Sequence, residues 1–264
     1  MPRFAANLSF MFADRPLIAR FGAAAAAGFR AVELQAPYEA TAKAVRAEID
    51  RYGLTMLGIN TGPLPDTNWG AAGVPGREAD FAALFAQALD YVVTIGGRAI
   101  HCLAGIVPPE QRAVAEQVFV HNLQQAADRA APDGIVILIE PINTRDCPGY
   151  LLSSAEQAAE ILARVQRPNV RMQFDFYHNQ IMGGDLIRRF ERYRAIIGHV
   201  QIAAVPSRAE PDEGEIRYAG IFEALDRLHY EGWVGCEYKP RGLTEDGLSW
   251  GAAYGLGAAP RQAG

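Results

Sequence analysis

The chain has 264 residues, half of them apolar, with a formal net charge of −5 and three cysteines. That length fits one α/β domain whose core needs no disulfide or metal staple, and the acidic balance argues against a nucleic-acid groove. No window is apolar for long enough to span a bilayer and no signal-peptide core follows Met1, so a soluble, cytoplasmic protein is expected. Cys102, Cys147 and Cys236 lack metal-type spacing and read as incidental thiols in a reducing compartment.

Short apolar runs alternate with helix-period segments along the whole chain, the pattern of successive βα units around a parallel sheet. In chain order the strands are expected at Arg3–Leu8, Ala31–Gln35, Thr55–Asn60, Arg98–Leu103, Ile135–Glu140, Val170–Asp175, His199–Ala203 and Val234–Glu237. Helices are expected at Pro16–Ala27, Thr41–Tyr52, Arg77–Ile95, Glu110–Ala130, Ser154–Val165, Leu186–Ile196, Tyr218–His229 and Thr244–Ala253. Ser154 is placed to cap its helix, Asp14 and Pro16 form a similar start, and Gly28, Gly53 and Gly232 stand where C-terminal glycines belong. The small residues from Gly22 to Gly28 read as a face for close helix packing. Eight such units predict a single (β/α)8 TIM barrel over residues 1–254 followed by a flexible tail, 255–264. The Pro- and Gly-rich segment Thr61–Gly76, which carries Trp69, is a candidate lid.

Chemistry in such a barrel gathers at the C-terminal ends of the strands. Three strands stop at a carboxylate there: Glu140, Asp175 and Glu237. A fourth carries His199 and Gln201 on one face, two residues apart. Three converging carboxylates repel one another and rise in pKa unless a cation neutralises them. Oxygen donors of this kind suit one divalent ion, Mg²⁺ or Mn²⁺, better than zinc. His178, Arg208 and Lys239 each trail one of these positions by a few residues and are candidates for substrate contact. His199 reads as core or as a second layer bonded to a carboxylate ligand, and His101 as core. His121 and His229 sit in helical pattern and read as structural. No glycine-rich nucleotide loop is present, so no nucleotide cofactor is expected.

The segments Phe4-Ala-Ala-Asn-Leu-Ser9, Gly28-Phe-Arg-Ala-Val-Glu33, Ile139-Glu-Pro-Ile-Asn143, Gly198-His-Val-Gln-Ile-Ala203 and Gly232-Trp-Val-Gly-Cys-Glu-Tyr-Lys-Pro240 resemble the hydroxypyruvate isomerase family of xylose-isomerase-like barrels. This group also includes 2-oxo-tetronate isomerases, ketose 3-epimerases and certain abasic-site endonucleases. The likeness runs from about Arg3 to Trp250. It implies that Glu140, Asp175, Gln201 and Glu237 bind the metal and that Glu140 and Glu237 are also the proton-transfer pair. His178 and Arg208 resemble the substrate-oxygen contacts of the related epimerases. Two departures stand out: Ala203-Ala-Val-Pro206 replaces a usual Ala-Asp-Asn-Pro, and Ile59 precedes Asn60 where a His is usual.

On this reading a small 2-oxo or hydroxy acid is isomerised through a cis-enediolate, with hydroxypyruvate to tartronate semialdehyde as the expected reaction. Arg208, His178 or Lys239 would hold the substrate carboxylate. A 2-oxo-tetronate isomerase or a small-ketose 3-epimerase would use the same site. An abasic-site endonuclease would need more metal ligands and a basic face, and a non-catalytic sugar-acid binder would follow from loss of the Ala203–Pro206 contacts. A homodimer is expected on the resemblance alone. Neither nucleic acid nor membrane is an expected partner.

Overall fold

The computed structural model describes residues 1–63 and 69–257. Nine strand segments form one sheet: β1 (Arg3–Asn7), β2 (Ala31–Glu33), β3 (Thr55–Met56), β4 (Gly58–Asn60), β5 (Ala99–His101), β6 (Val136–Ile139), β7 (Val170–Asp175), β8 (Ile197–Ile202) and β9 (Trp233–Cys236). Their order is β3-β2-β1-β9-β8-β7-β6-β5-β4, with every pairing parallel. The two ends of that order, β3 and β4, are halves of the single strand expected at Thr55–Asn60, separated only by Leu57. Leu57 donates its N–H to Val32 O at 2.9 Å and accepts from Arg98 N–H at 3.0 Å. One stave therefore changes neighbours at Leu57, and the sheet closes as an eight-stave barrel.

The helices α1 (Leu17–Ala26), α2 (Ala42–Tyr52), α3 (Glu78–Ile95), α4 (Arg112–Ala130), α5 (Ala155–Val165), α6 (Phe176–Met182), α7 (Leu186–Tyr193) and α8 (Tyr218–Arg227) connect the staves. Strands covered on both faces read as unbroken apolar runs, and Val136–Ile139 is almost wholly buried. The cap of α5 follows from its sequence: Ser154 accepts from Gln157 N–H at 3.2 Å, while Gln157 Oε1 accepts from Ser153 N–H at 3.1 Å. The small-residue face of α1 allows a close approach to α2, since a Cβ on Gly22 would lie 2.7 Å from the Tyr52 hydroxyl.

Four expectations change. Pro16 occupies the N-cap of α1 without a side-chain cap, and Asp14 pairs with Arg15 instead. The left-handed residue after α8 is His229, at φ 53°, rather than Gly232. The last helical stretch, Thr244–Tyr254, is 3₁₀. Helix α6 was absent from the sequence reading because Asp175 both ends β7 and caps α6, leaving no linker to mark a boundary.

Part of the candidate lid, residues 64–68, lies outside the described residues. The rest is tied down, with Ala72 N–H and Gly73 N–H bonded to Leu103 O and Ala104 O at 3.1 and 2.7 Å. Of the expected tail, residues 258–264 lie outside the described residues, while Leu256 is buried and Gly257 N–H bonds Ala27 O at 2.9 Å. All three cysteines are free and buried. No described helix is long and apolar enough to cross a membrane.

At the N-terminal end of β1, Phe4 meets the rings of Phe222, Trp250 and Tyr254 edge-on, each at 5.1 Å between centroids. Phe4→Ala empties that junction between the first strand and the C-terminal helical segment. It is expected to cost about 3–5 kcal/mol, read as a lower midpoint in urea unfolding. A change below about 1 kcal/mol would show that the junction carries little of the stability.

Candidate active site

The barrel places the expected carboxylates together. Asp175 and Gln201 are register partners on β7 and β8, Glu140 directly follows β6, and Glu237 directly follows β9. All four side chains are buried. Asp175 divides its two oxygens between two tasks. Its Oδ1 caps α6 by accepting from Tyr177 N–H at 2.8 Å, and its Oδ2 has no hydrogen-bond partner. Glu140 Oε1 and Gln201 Oε1 are likewise buried without a partner. Buried polar atoms are almost always satisfied, so three orphaned oxygens at the mouth of one barrel are the atoms a cation would complete. Glu140, Asp175 and His178 form a group whose ligand-type atoms lie within 4.8 Å of one another.

His178 needs closer reading, because its proton decides whether it can be a ligand. Asn143 Oδ1 accepts the backbone N–H groups of Arg145 and Asp146, at 3.0 and 2.8 Å. Those two donors fix the amide so that Nδ2 faces His178 Nδ1 at 2.7 Å, and Asn143 N–H approaches the same nitrogen at 3.3 Å. Facing two donors, Nδ1 is the acceptor, and the ring proton sits on Nε2. That N–H lies 3.6 Å from Asp175 Oδ2 and 4.0 Å from Glu140 Oε1. In this tautomer His178 offers a hydrogen-bond donor at the edge of the carboxylate cluster and has no lone pair for a metal. Burial, then the Arg208 charge, holds its pKa well below the ordinary value, so the ring is neutral.

Burial, followed by the charges of Glu237 and Asp175, pushes Glu140 well above the ordinary carboxylate range. Burial is also the main cause of the upward shifts of Asp175 and Glu237, each opposed by Arg208. Glu237 Oε1 accepts from Gln35 Nε2 at 2.7 Å and from Arg208 Nη2 at 3.3 Å. The Arg208 guanidinium lies between the rings of Phe10 and Tyr177, 5.4 and 5.1 Å from their centroids, and its Nε is an unpaired donor. Its backbone is left-handed, with φ 58°.

Lys239 is placed differently from the sequence expectation. Its side chain is exposed, and its contribution to the site is a backbone N–H bonded to Arg208 O at 2.7 Å. The strand ends at Cys236, so by position 239 the pleat no longer sets the direction of the side chain. His199 is also displaced from its expected partner. It bonds at 2.6 Å to Glu33, which is not one of the expected ligands. His101 lines a cavity of about 440 Å³ inside the barrel instead of packing in apolar core, and its Nδ1 is 3.7 Å from Glu140 Oε2.

Sequence reasoning missed Glu33, Gln35, Asn143 and Asp146. Glu33 ends β2 just as Asp175 ends β7, so the rule that found the other carboxylates would have found it had it been applied to the first half of the chain. Asp146 sits in a loop that carries no periodic signal. It accepts from Asn143 Nδ2 at 3.1 Å and Tyr177 Oη at 2.9 Å, and lies 3.6 Å from Arg208 Nη1.

A closed parallel barrel with acidic and amide oxygens at its C-terminal mouth is the architecture matched by the model of the xylose isomerase-like TIM barrel, over residues 21–254. A 2-oxo-tetronate isomerase of Cupriavidus necator is 47% identical, covering 96% of this chain and 99% of the relative. The hydroxypyruvate isomerase of Escherichia coli is 39% identical, covering 96% and 100%. Among solved structures, an AP endonuclease, family 2, of Brucella melitensis superposes with a TM-score of 0.94 at 45% identity, covering 96% and 99%. The chain belongs to the hydroxypyruvate isomerase/2-oxo-tetronate isomerase family and is an isomerase.

The raised carboxylate pKa values generate a pH-dependent prediction. A group whose folded pKa stands above its unfolded value contributes stability at low pH that is lost as pH rises through the folded value. Stripped of metal, the protein should therefore lose stability from the ordinary carboxylate value of 4.5 upward, and a divalent ion should restore it. The rise in Tm on adding Mn²⁺ to chelator-treated protein is expected to be larger at about pH 8 than at about pH 5. Equal rises at both would contradict the crowded-carboxylate reading.

Proposed function

We propose that this chain is a metal-dependent 2-oxo-tetronate isomerase, moving the carbonyl of a four-carbon 2-oxo acid from C2 to C3 through a cis-enediolate. The observation that carries the choice of acid is the identity of its relatives. Proteins named 2-oxo-tetronate isomerase reach 47, 45 and 43%, while the E. coli hydroxypyruvate isomerase stands at 39%. Putative hydroxypyruvate isomerases of vertebrates overlap the lower part of the first range, for example 44% in Danio rerio. The four-carbon acid thus takes the place of hydroxypyruvate, the substrate expected from sequence.

The donor set fits one Mg²⁺ or Mn²⁺ held by Glu140, Asp175, Gln201 and Glu237. Its support is the three orphaned oxygens and the hard, all-oxygen character of the set. Such an ion would act as a Lewis acid, acidifying the C–H beside the carbonyl. The protein groups supply the proton traffic. One of Glu140 and Glu237 removes the C3 proton and the other delivers one to C2, while the O3 proton is passed to O2. Burial raises both carboxyl groups and a bound cation would lower them, the balance that proton transfer near neutral pH requires. Arg208 presents its free Nε edge to the substrate carboxylate, and its stacking between Phe10 and Tyr177 removes the rotamer freedom that binding would otherwise have to quench. The Nε2–H of His178 donates to a substrate oxygen.

A nuclease reading finds no support in charge: the chain is net acidic, and the described residues hold one metal-type cluster, whereas phosphate-backbone binding calls for a basic face.

The test is isomerisation of 2-oxo-tetronate and hydroxypyruvate, side by side, in deuterated water with Mn²⁺ or chelator. A higher kcat/KM for the four-carbon acid, dependent on metal and with deuterium entering at C2, is expected. A preference for hydroxypyruvate would reverse the assignment, and no turnover of either acid would remove it. Under the same assay Glu237→Gln should lower kcat by about 10²–10⁴. Arg208→Leu should lower kcat/KM by about 10²–10³, chiefly through KM.

A further inference from the structure

Glu33 belongs to none of the groups that face the substrate, yet it is a buried carboxylate with every oxygen occupied. Its Oε1 accepts from Asn7 Nδ2 at 3.0 Å and Gln201 Nε2 at 2.7 Å, and its Oε2 meets His199 Nε2 at 2.6 Å. The strand order makes this reach unusual. Glu33 stands on β2 and Gln201 on β8, with β1 and β9 between them. The side chain therefore passes across the barrel interior in front of two staves.

Passage is possible because the residue in its way is Gly235 of β9, the register partner of Gln201. A Cβ built on Gly235 would lie 2.5 Å from Glu33 Oε1 and 2.6 Å from Oε2. Asn7, the register partner of Glu33 on β1, steadies the carboxylate from the other side. Three donors and one missing side chain thus hold a carboxylate against one end of the Gln201 amide.

That contact has a chemical consequence. A glutamine amide has two ends, and only the oxygen can ligate a cation. Left free, the amide could turn either end to the mouth of the barrel. With Nε2 donating to Glu33, the oxygen faces the other way, and Gln201 Oε1 is one of the three orphaned oxygens of the site. We propose that Glu33 is a positioning residue that polarises and orients the Gln201 amide for metal binding, with Gly235 as the gap that admits it. This rests on the metal-site reading above.

The experiment is a double-mutant cycle read by Mn²⁺ affinity, using the free-ion EPR signal and no turnover. Glu33→Leu removes the acceptor at similar volume. Gly235→Ala, a second variant, displaces the carboxylate while keeping every polar residue. Each is expected to weaken Mn²⁺ binding by about 10–100-fold. Gln201→Ala should weaken it by at least as much. If Glu33 acts through Gln201, adding Glu33→Leu to Gln201→Ala should change the affinity by less than about threefold. Wild-type affinity in both single variants at Glu33 and Gly235 would overturn the proposal. So would a double variant whose loss is the product of the two single losses, since Glu33 would then act on the ion directly or through the fold. Failure of the wild-type protein to bind Mn²⁺ would instead overturn the metal-site reading, which separates the two failures.

Discussion

Crowding of three buried carboxyl groups at the barrel mouth is the constraint on which the rest of this structure depends. In water such groups would ionise independently. Here burial and mutual repulsion hold Glu140, Asp175 and Glu237 above their ordinary range. Arg208 offsets part of that cost from a position fixed by Phe10 and Tyr177. The remaining imbalance, together with the orphaned oxygens of Glu140, Asp175 and Gln201, is what a divalent cation would relieve. Folding and function are opposed at this point, as they commonly are where charges are gathered for chemistry.

The surrounding residues divide the labour by controlling which atom faces inward. Asp175 gives one oxygen to the cap of α6 and keeps the other for the site. Asn143, held by two backbone donors, sets the ring proton of His178 on the nitrogen nearest the carboxylates. Glu33 holds the nitrogen end of Gln201. In each case a hydrogen bond made away from the mouth selects the chemistry presented at it. Distance alone groups His178 with Glu140 and Asp175, but its tautomer turns an N–H rather than a lone pair toward them. Gln201, which offers a free amide oxygen, fits the ligand role better.

Much of this was legible in the sequence because parallel barrels write their architecture in period. Uninterrupted apolar runs such as Ile135–Ile139, ending at Glu140, announce both a buried strand and the group delivered at its end. Closure was also foreshadowed by the count of βα units, although the change of neighbours at Leu57 was not, since a strand shared between two partners has the same residue pattern as one that is not. The orientation of groups was invisible. Nothing in the spacing of Asp175 and His178 says that a seven-residue helix begins between them. Nor does it say which ring nitrogen Asn143 will occupy. Lys239 illustrates the opposite error: proximity in sequence to Glu237 placed it near the site, while the end of the strand at Cys236 released the chain to turn its side chain to solvent. Glu33 was readable by the same rule as its partners, but its role depends on Gly235, seven strands later in chain order.

The central claim is that the cation is held entirely by oxygen, with His178 outside its shell. Anomalous diffraction from Mn²⁺-loaded crystals tests it most directly. The account predicts one strong peak at coordination distance from oxygens of Glu140, Asp175, Gln201 and Glu237, with His178 Nε2 beyond bonding reach of the ion. A peak ligated by His178 Nε2, with the Gln201 amide turned away, would contradict it.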